Sequence, residues 1–382
     1  MSSLSNSSQF LKNSNNKNKN NKNIKYWVAL SCFPKFGSKR FNQLKSYFTN
    51  LKQAFYAPLN ELKQTGIPAN VAEEFISWRQ NIDPDAEFNK LEQEQVAVIT
   101  IEDENYPRLL KEIYDAPPLL YYQGTLDKRS NFCLAIVGSR KFTQYGQQVT
   151  KYLITELAQA GLTIVSGLAL GIDAIAHQAT LEANGTTIAV LGSGVNRQSI
   201  YPATNRQLAE NIITNKGAVI SDFPLNTPPL KHHFPQRNRI IAGLSLGTLI
   251  IEAAEKSGAL ITAQLSLEYN REVFAVPGSI FNLSSTGTNK LLQAGAKVVM
   301  KADDILEAFS LSNIKATVEA QTIIPSNDIE KKLIGILNRE SMHINNLART
   351  AKLDTSTINA TLLTMELKGM VRNLGSGNYV LS

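Results

Sequence analysis

Between residues 126 and 310, short apolar runs alternate with longer stretches whose apolar positions recur every three to four residues. The runs are Cys133–Val137, Thr163–Ser166, Thr187–Leu191, Ala218–Ser221, Thr248–Ile251, Val273–Val276 and Lys297–Met300. Their near-continuous hydrophobicity predicts strands covered on both faces, and one helix between each pair predicts parallel crossovers. The expected fold class is α/β: an extended Rossmann-like, doubly wound, mostly parallel sheet over 126–310. Ahead of it, residues 26–115 carry helical periodicity at Phe41, Leu44, Tyr47 and Phe48 and again at Val71, Phe75 and Ile76, broken at Phe36-Gly37 and Gly66-Ile67-Pro68. This reads as a small helical module of the SAM or helix-hairpin-helix kind. Val96–Ile101 reads as a strand, and Tyr106-Pro107 and Pro117-Pro118 mark a linker. Behind the sheet domain, 311–327 reads as a linker and 328–382 as a winged-helix-like module. Its expected parts are helices at Asp328–Arg339, Ile344–Ala351 and Thr355–Lys368, then a hairpin from Met370 to Leu381 turning at Gly375-Ser376-Gly377.

Composition changes this picture at the ends. Residues 1–25 are rich in Asn, Ser and Lys, with five lysines and no acid, and are expected to be a disordered basic tail. That tail supplies most of the net charge of +7; residues 26–125 carry 10 basic against 13 acidic residues, and 126–310 carry 16 against 13. A sheet domain so near neutrality must bind an anion through a local basic pocket rather than a global field. Two cysteines and four histidines without a CxxC argue against a disulfide framework or a structural zinc site, so neither metal nor cofactor is expected. No apolar run is long enough to span a membrane and no signal-peptide core is visible, so a cytoplasmic protein without membrane contact is expected.

In an open parallel sheet, ligands gather at the carboxyl ends of the strands. Five loops there carry candidate chemistry. Val137-Gly138-Ser139-Arg140 leads through Thr143 into a helix, pairing amides with a mobile cation, though it is not GxGxxG. Ser166–Asp173 follows, with His177 one turn further on. That pair fits a general base couple, but a capped helix with a supporting histidine fits better because no nucleophile or metal set accompanies it. Leu191-Gly192-Ser193-Gly194 is an amide-rich turn able to hold a phosphate or simply to join strand to helix. The segment Lys231–Gly243 sets Phe234 beside Lys231, Arg237, Asn238 and Arg239. A base can stack on such a ring, and arginine forks suit phosphate. Arg237 and Arg239 lie about 200° apart on a helix, so both cannot face one ligand. Glu252, Ser257 and Thr262 complete the set, with helix capping as the plainer role for Ser257 and Thr262.

Together the runs VGSR, SGLALGIDAIAH, IAVLGSGVNRQSIYP, FPQRNRIIAGLS, IEAAEKSGALITAQ and FAVPG, with Gly287 and Gly295-Ala296 beyond, resemble the DNA-processing protein A (DprA/Smf) family of natural transformation over about 130–300. The resemblance implies a Rossmann domain that binds single-stranded DNA without catalysis, forms a homodimer and loads RecA onto incoming strands. By motif it implies that Arg140, Lys231 and Phe234 line the strand-binding pocket. The amides around Ser139 and of Gly192, Ser193 and Gly194 would lie alongside, with Arg237, Asn238 and Arg239 in the same segment. Two positions depart from the pattern: Leu170 stands where a basic residue is usual, and SE-x-P reads Ser221-Asp222-Phe223-Pro224. Two rival functions remain. One is an enzyme resembling nucleoside-monophosphate phosphoribohydrolases, whose PGG-x-GT-x-x-E signature is incomplete here: Glu252 stands one residue too far from Gly247-Thr248, and the PGG is absent. The other is a duplex-binding regulator acting through the winged helix, although Asp354–Leu367 contains no Lys or Arg for a major groove.

Overall fold

The structure is a computed structural model that describes residues 23–126, 132–309, 328–337, 342–367, 371–375 and 377–381. Most of the expected basic tail and the whole 311–327 linker lie outside the described residues, as does Ser376 of the expected hairpin turn. Two compact units divide between Ile305 and Leu306.

The larger unit is built on a nine-stranded sheet. In chain order its strands are β1 (Ala97–Thr100), β2 (Leu119–Gly124), β3 (Cys133–Val137), β4 (Thr163–Ser166), β5 (Thr187–Val190), β6 (Ala218–Ser221), β7 (Gly247–Ile250), β8 (Glu272–Ala275) and β9 (Lys297–Val298). Across the sheet they run β1-β2-β6-β5-β4-β3-β7-β8-β9. Every pairing from β6 to β9 is parallel, whereas β2 pairs antiparallel with both β6 and β1. The chain winds outward from β3 through β4, β5 and β6, then returns to β7 on the other side. The point of reversal lies between β3 and β7, where a doubly wound sheet opens its ligand crevice. Strands β3 to β7 are buried along their whole length, as their unbroken apolar runs require.

The sheet edge differs from the sequence expectation. Residues read there as a linker are packed: Tyr106 is buried and its hydroxyl donates to the Pro117 carbonyl at 2.8 Å. Leu119–Gly124 forms β2 and carries β1 into the main sheet. Six short helices between Ile24 and Gln93 bury an aromatic core of Trp27, Phe33, Phe36, Phe41, Phe55 and Phe75. The first of them begins at Ile24, inside the stretch expected to be tail. That core is continuous with Val98 of β1 and Tyr121 of β2, so the helical module and the sheet share one unit.

The smaller unit has helices Asp328–Ile336, Ile344–Ala351 and Thr355–Leu367 around Leu333, Leu347, Ile358 and Leu362. Strands β10 (Met342–His343), β11 (Val371–Gly375) and β12 (Asn378–Leu381) pair in the order β10-β12-β11. This is a winged-helix arrangement.

Candidate nucleic-acid interface

A cleft of about 920 Å³ opens at the β3/β7 reversal. Three stretches form its walls: Val137–Lys141 after β3, Ala254–Thr262 after β7, and Pro229–Asn238, which runs into the helix His233–Leu244. Four exposed cations line it, Arg140, Lys141, Lys231 and Lys256, and none forms an ion pair with another described residue. Among the described residues its one lining carboxylate, Asp173, is buried. A nearly neutral domain thus concentrates positive charge in one place.

The β3 loop is shaped by close approach. Gly171 has φ +85°, and a Cβ there would come within 2.3 Å of the Ser139 carbonyl, so only glycine suits this turn. The same carbonyl accepts from the Ile172 amide at 3.2 Å. The Ser139 hydroxyl donates to the Lys141 carbonyl at 2.7 Å, folding the loop back so that Arg140 projects from its tip. The Arg140 guanidinium lies 5.5 Å from the centre of the Phe234 ring, a cation–π contact. Thr143 caps the following helix, Gln144–Gln159, and is gripped by Glu252: the Thr143 amide donates to Oε2 at 2.9 Å and its hydroxyl donates to Oε1. Gly146 makes room, since a Cβ there would meet the same carboxylate at 2.4 Å. Ser284 also donates to Glu252, at 3.3 Å. Glu252 is therefore buried and spent on capping.

The two arginines of the crossover helix diverge, as their spacing requires. Arg237 turns inward, 4% exposed, and donates to the carbonyls of Gly167 (2.8 Å) and Val190 at the ends of β4 and β5. A Cβ on Gly167 would strike this guanidinium at 2.5 Å. Burial lowers the Arg237 pKa to about 10, opposed by the charge of Asp173. Asp173, in the first turn of the helix Ile172–Glu182, holds the loop before that helix by accepting from the Gly167 and Ala169 amides. Burial raises its pKa, and Arg237 restrains the rise. His177 bonds Thr187 through Nδ1 at 2.7 Å, and burial, with the Arg237 charge, pushes its pKa down to about 3. It stays neutral in this frame. Arg239 donates to Asp222 and to the Asp115 carbonyl, away from the cleft. Asp222, the shortened acid of the variant motif, thus still finds an arginine.

Of the residues singled out in the sequence, Ser139, Arg140, Lys231, Phe234, Arg237 and Asn238 come together around the cleft, while Arg239 and Gly192–Gly194 do not line it. Asn238 accepts from Arg237 Nε at 3.2 Å. Gly192 backs Phe234: a Cβ there would lie 3.2 Å from the ring and 3.3 Å from the His233 backbone. Ser193 is buried, its carbonyl accepting from Ser221 at 2.7 Å, and the Gly194 amide donates to the Thr227 carbonyl. Leu170 is exposed and contributes no charge. Lys141, Lys256 and Tyr201 line the cleft without having been singled out. Lys256 had a visible signal, since it precedes the capping Ser257 at a strand's carboxyl end.

Fold and site together define a doubly wound α/β protein with a basic crevice at its switch point and a separate winged-helix unit. The family model described as DNA recombination-mediator protein A matches residues 97–310, and that of the DprA winged helix domain matches 317–377. The chain belongs to the DNA-processing protein A (DprA/Smf) family. It is 39% identical to protein Smf of Escherichia coli over 84% of this chain and 86% of that one. It is 45% identical to the DNA processing protein DprA of Bacillus subtilis over 58% and 74%. Among solved structures, that of Streptococcus pneumoniae DprA superposes with a TM-score of 0.65 at 38% identity, covering 74% of this chain and 97% of that one. DNA processing protein A of Helicobacter pylori, whose structure was described for its single-stranded DNA binding mode, gives 0.50 at 31% identity over 56% and 96%. No helix among the described residues is long and apolar enough to cross a membrane.

Proposed function

We propose that this chain binds single-stranded DNA in the cleft at the β3/β7 reversal, without catalysis, and serves natural transformation by protecting incoming strands and loading RecA for homologous recombination. The observation that carries the reading is the convergence of Arg140, Lys231 and Phe234 on one basic cleft whose only lining carboxylate among the described residues is buried. Phosphates meet Arg140, Lys231 and the amides beside Ser139, and a base packs against the Phe234 ring. Asn238 borders the same path, while Arg237, Arg239 and the Gly192–Gly194 turn hold its frame. The Helicobacter pylori relative's single-stranded DNA binding supports this. A homodimer would present two clefts and raise avidity on long strands. Ile280, Phe281 and Leu283, all more than 80% exposed, are apolar surface suited to a second copy. The protein is expected to act in the cytoplasm.

The capping role of Glu252 removes support from the phosphoribohydrolase reading, and a helix Thr355–Leu367 without Lys or Arg weakens the duplex regulator. The test is a gel shift with short oligo-dT, wild type against Arg140→Ala, with duplex competitor. Retarded oligo-dT that duplex fails to displace, and weaker retardation by the variant, are expected. A preference for duplex, or base release from nucleoside monophosphates, overturns the reading.

A further inference from the structure

We infer that Tyr201 is a second stacking platform of the cleft, receiving a base of the strand beside the one at Phe234; this rests on the single-strand reading above. Phe234 is only partly open: the Arg140 guanidinium covers it at 5.5 Å, and Gly192 packs behind it. The Tyr201 ring lies 5.9 Å from the Phe234 ring, tilted by 48°, lines the same cleft, and is 52% exposed. Its hydroxyl makes no hydrogen bond to any described residue.

An exposed tyrosine on a loose loop would say little, but this loop is fixed on both sides of the ring. Ile200 and Pro202 are both buried, as is Ser199. Asn205 is buried and donates to the carbonyls of Leu168 (2.9 Å) and Ala169 (3.3 Å), in the loop whose amides Asp173 holds. Upstream, Asn196 and Asn226 exchange two hydrogen bonds, at 2.8 and 2.9 Å. A large ring held in solvent by buried neighbours loses little conformational freedom when a base covers it. Lys231 and Arg140 border the same cleft, so phosphates on either side of the stacked base find cations within it. Stacking is indifferent to base identity because every base has a flat face.

The experiment compares oligo-dT with an abasic strand of the same length at low salt, using the full chain and the variants Tyr201→Ala, Tyr201→Leu and Tyr201→Phe. Tyr201→Ala and Tyr201→Leu are expected to bind oligo-dT about tenfold more weakly than wild type. Both should bind the abasic strand as wild type does, and Tyr201→Phe should bind both strands normally. Lys231→Ala, by contrast, should weaken both strands alike. Normal oligo-dT binding by Tyr201→Ala overturns the inference while leaving the single-strand reading intact. Equal losses on the two strands also overturn it, since a distorted loop or a phosphate contact acts without a base. A wild-type chain that fails to bind oligo-dT overturns the underlying reading itself.

Discussion

Replacing Arg237 with methionine separates frame from contact within the segment that links them. Methionine keeps an unbranched side chain but removes the guanidinium that donates to the Gly167 and Val190 carbonyls and faces Asp173. Each of the two buried carbonyls left without a donor costs roughly 1–3 kcal/mol, and Asp173 loses a nearby opposite charge, for about 3–5 kcal/mol together. With an m-value of about 3 kcal/mol/M, the urea midpoint of the larger unit should fall by about 1 M or more. Asp173→Asn in the same background should recover part of the loss, because the amide keeps an acceptor for the Gly167 and Ala169 amides without a buried charge. Under conditions where the variant stays folded, its oligo-dT affinity should remain within about threefold of wild type, less than one charged hydrogen bond. A wild-type midpoint with binding lost would show that Arg237 reaches the strand and that its inward placement is not the working one.

Lys231→Ala should leave the urea midpoint unchanged and flatten the salt dependence of oligo-dT binding by about 0.7 log unit per log salt; an unaltered slope counts against a phosphate contact. Phe234→Ala should weaken oligo-dT binding about tenfold or more by titration, and full affinity would remove the ring from the site. Glu252→Ala should destabilise the larger unit by about 2–4 kcal/mol, since it orphans the Thr143 amide and hydroxyl. Neither that variant nor wild type should release base from nucleoside monophosphates. For His177, the folded pKa of about 3 lies below the ordinary 6.5, so the unfolded chain binds the extra proton between these values. Its contribution to stability is complete above pH 6.5 and is lost as pH falls toward 3, by at most about 1.4 kcal/mol per pH unit. His177→Gln should flatten that decline in urea titrations at successive pH values.

The central strands were legible because burial on both faces leaves an unbroken apolar run, as in Cys133–Val137. β2 was not, since Leu119–Gly124 follows two prolines and its partners, β1 and β6, are chosen by long-range pairing. Boundaries at the β8 and β9 edge show the same limit: Val273–Val276 shifts to Glu272–Ala275, and Lys297–Met300 shortens to Lys297–Val298, with the Val299 amide making a last bond to the Ala275 carbonyl. Within the site, spacing established that Arg237 and Arg239 must part, but which one turns inward depends on the helix face that meets the sheet. Gly192–Gly194 looked like an anion cradle because glycine amides can serve either a ligand or a neighbouring loop; here Thr227 and Phe234 take the space. Tyr201 stands in one of the matching runs but shows no site role there, because its meaning comes from Phe234, 33 positions away in the chain.

Arg237 ties the helix that carries Phe234 to the ends of two neighbouring strands. The wall of the cleft therefore has no private hinge. It is cast before a ligand arrives, and little ordering remains to be done on capture. Association should then run at a rate set by collision and electrostatic steering, in a single kinetic phase, with no slower step in which the site reshapes itself around the ligand.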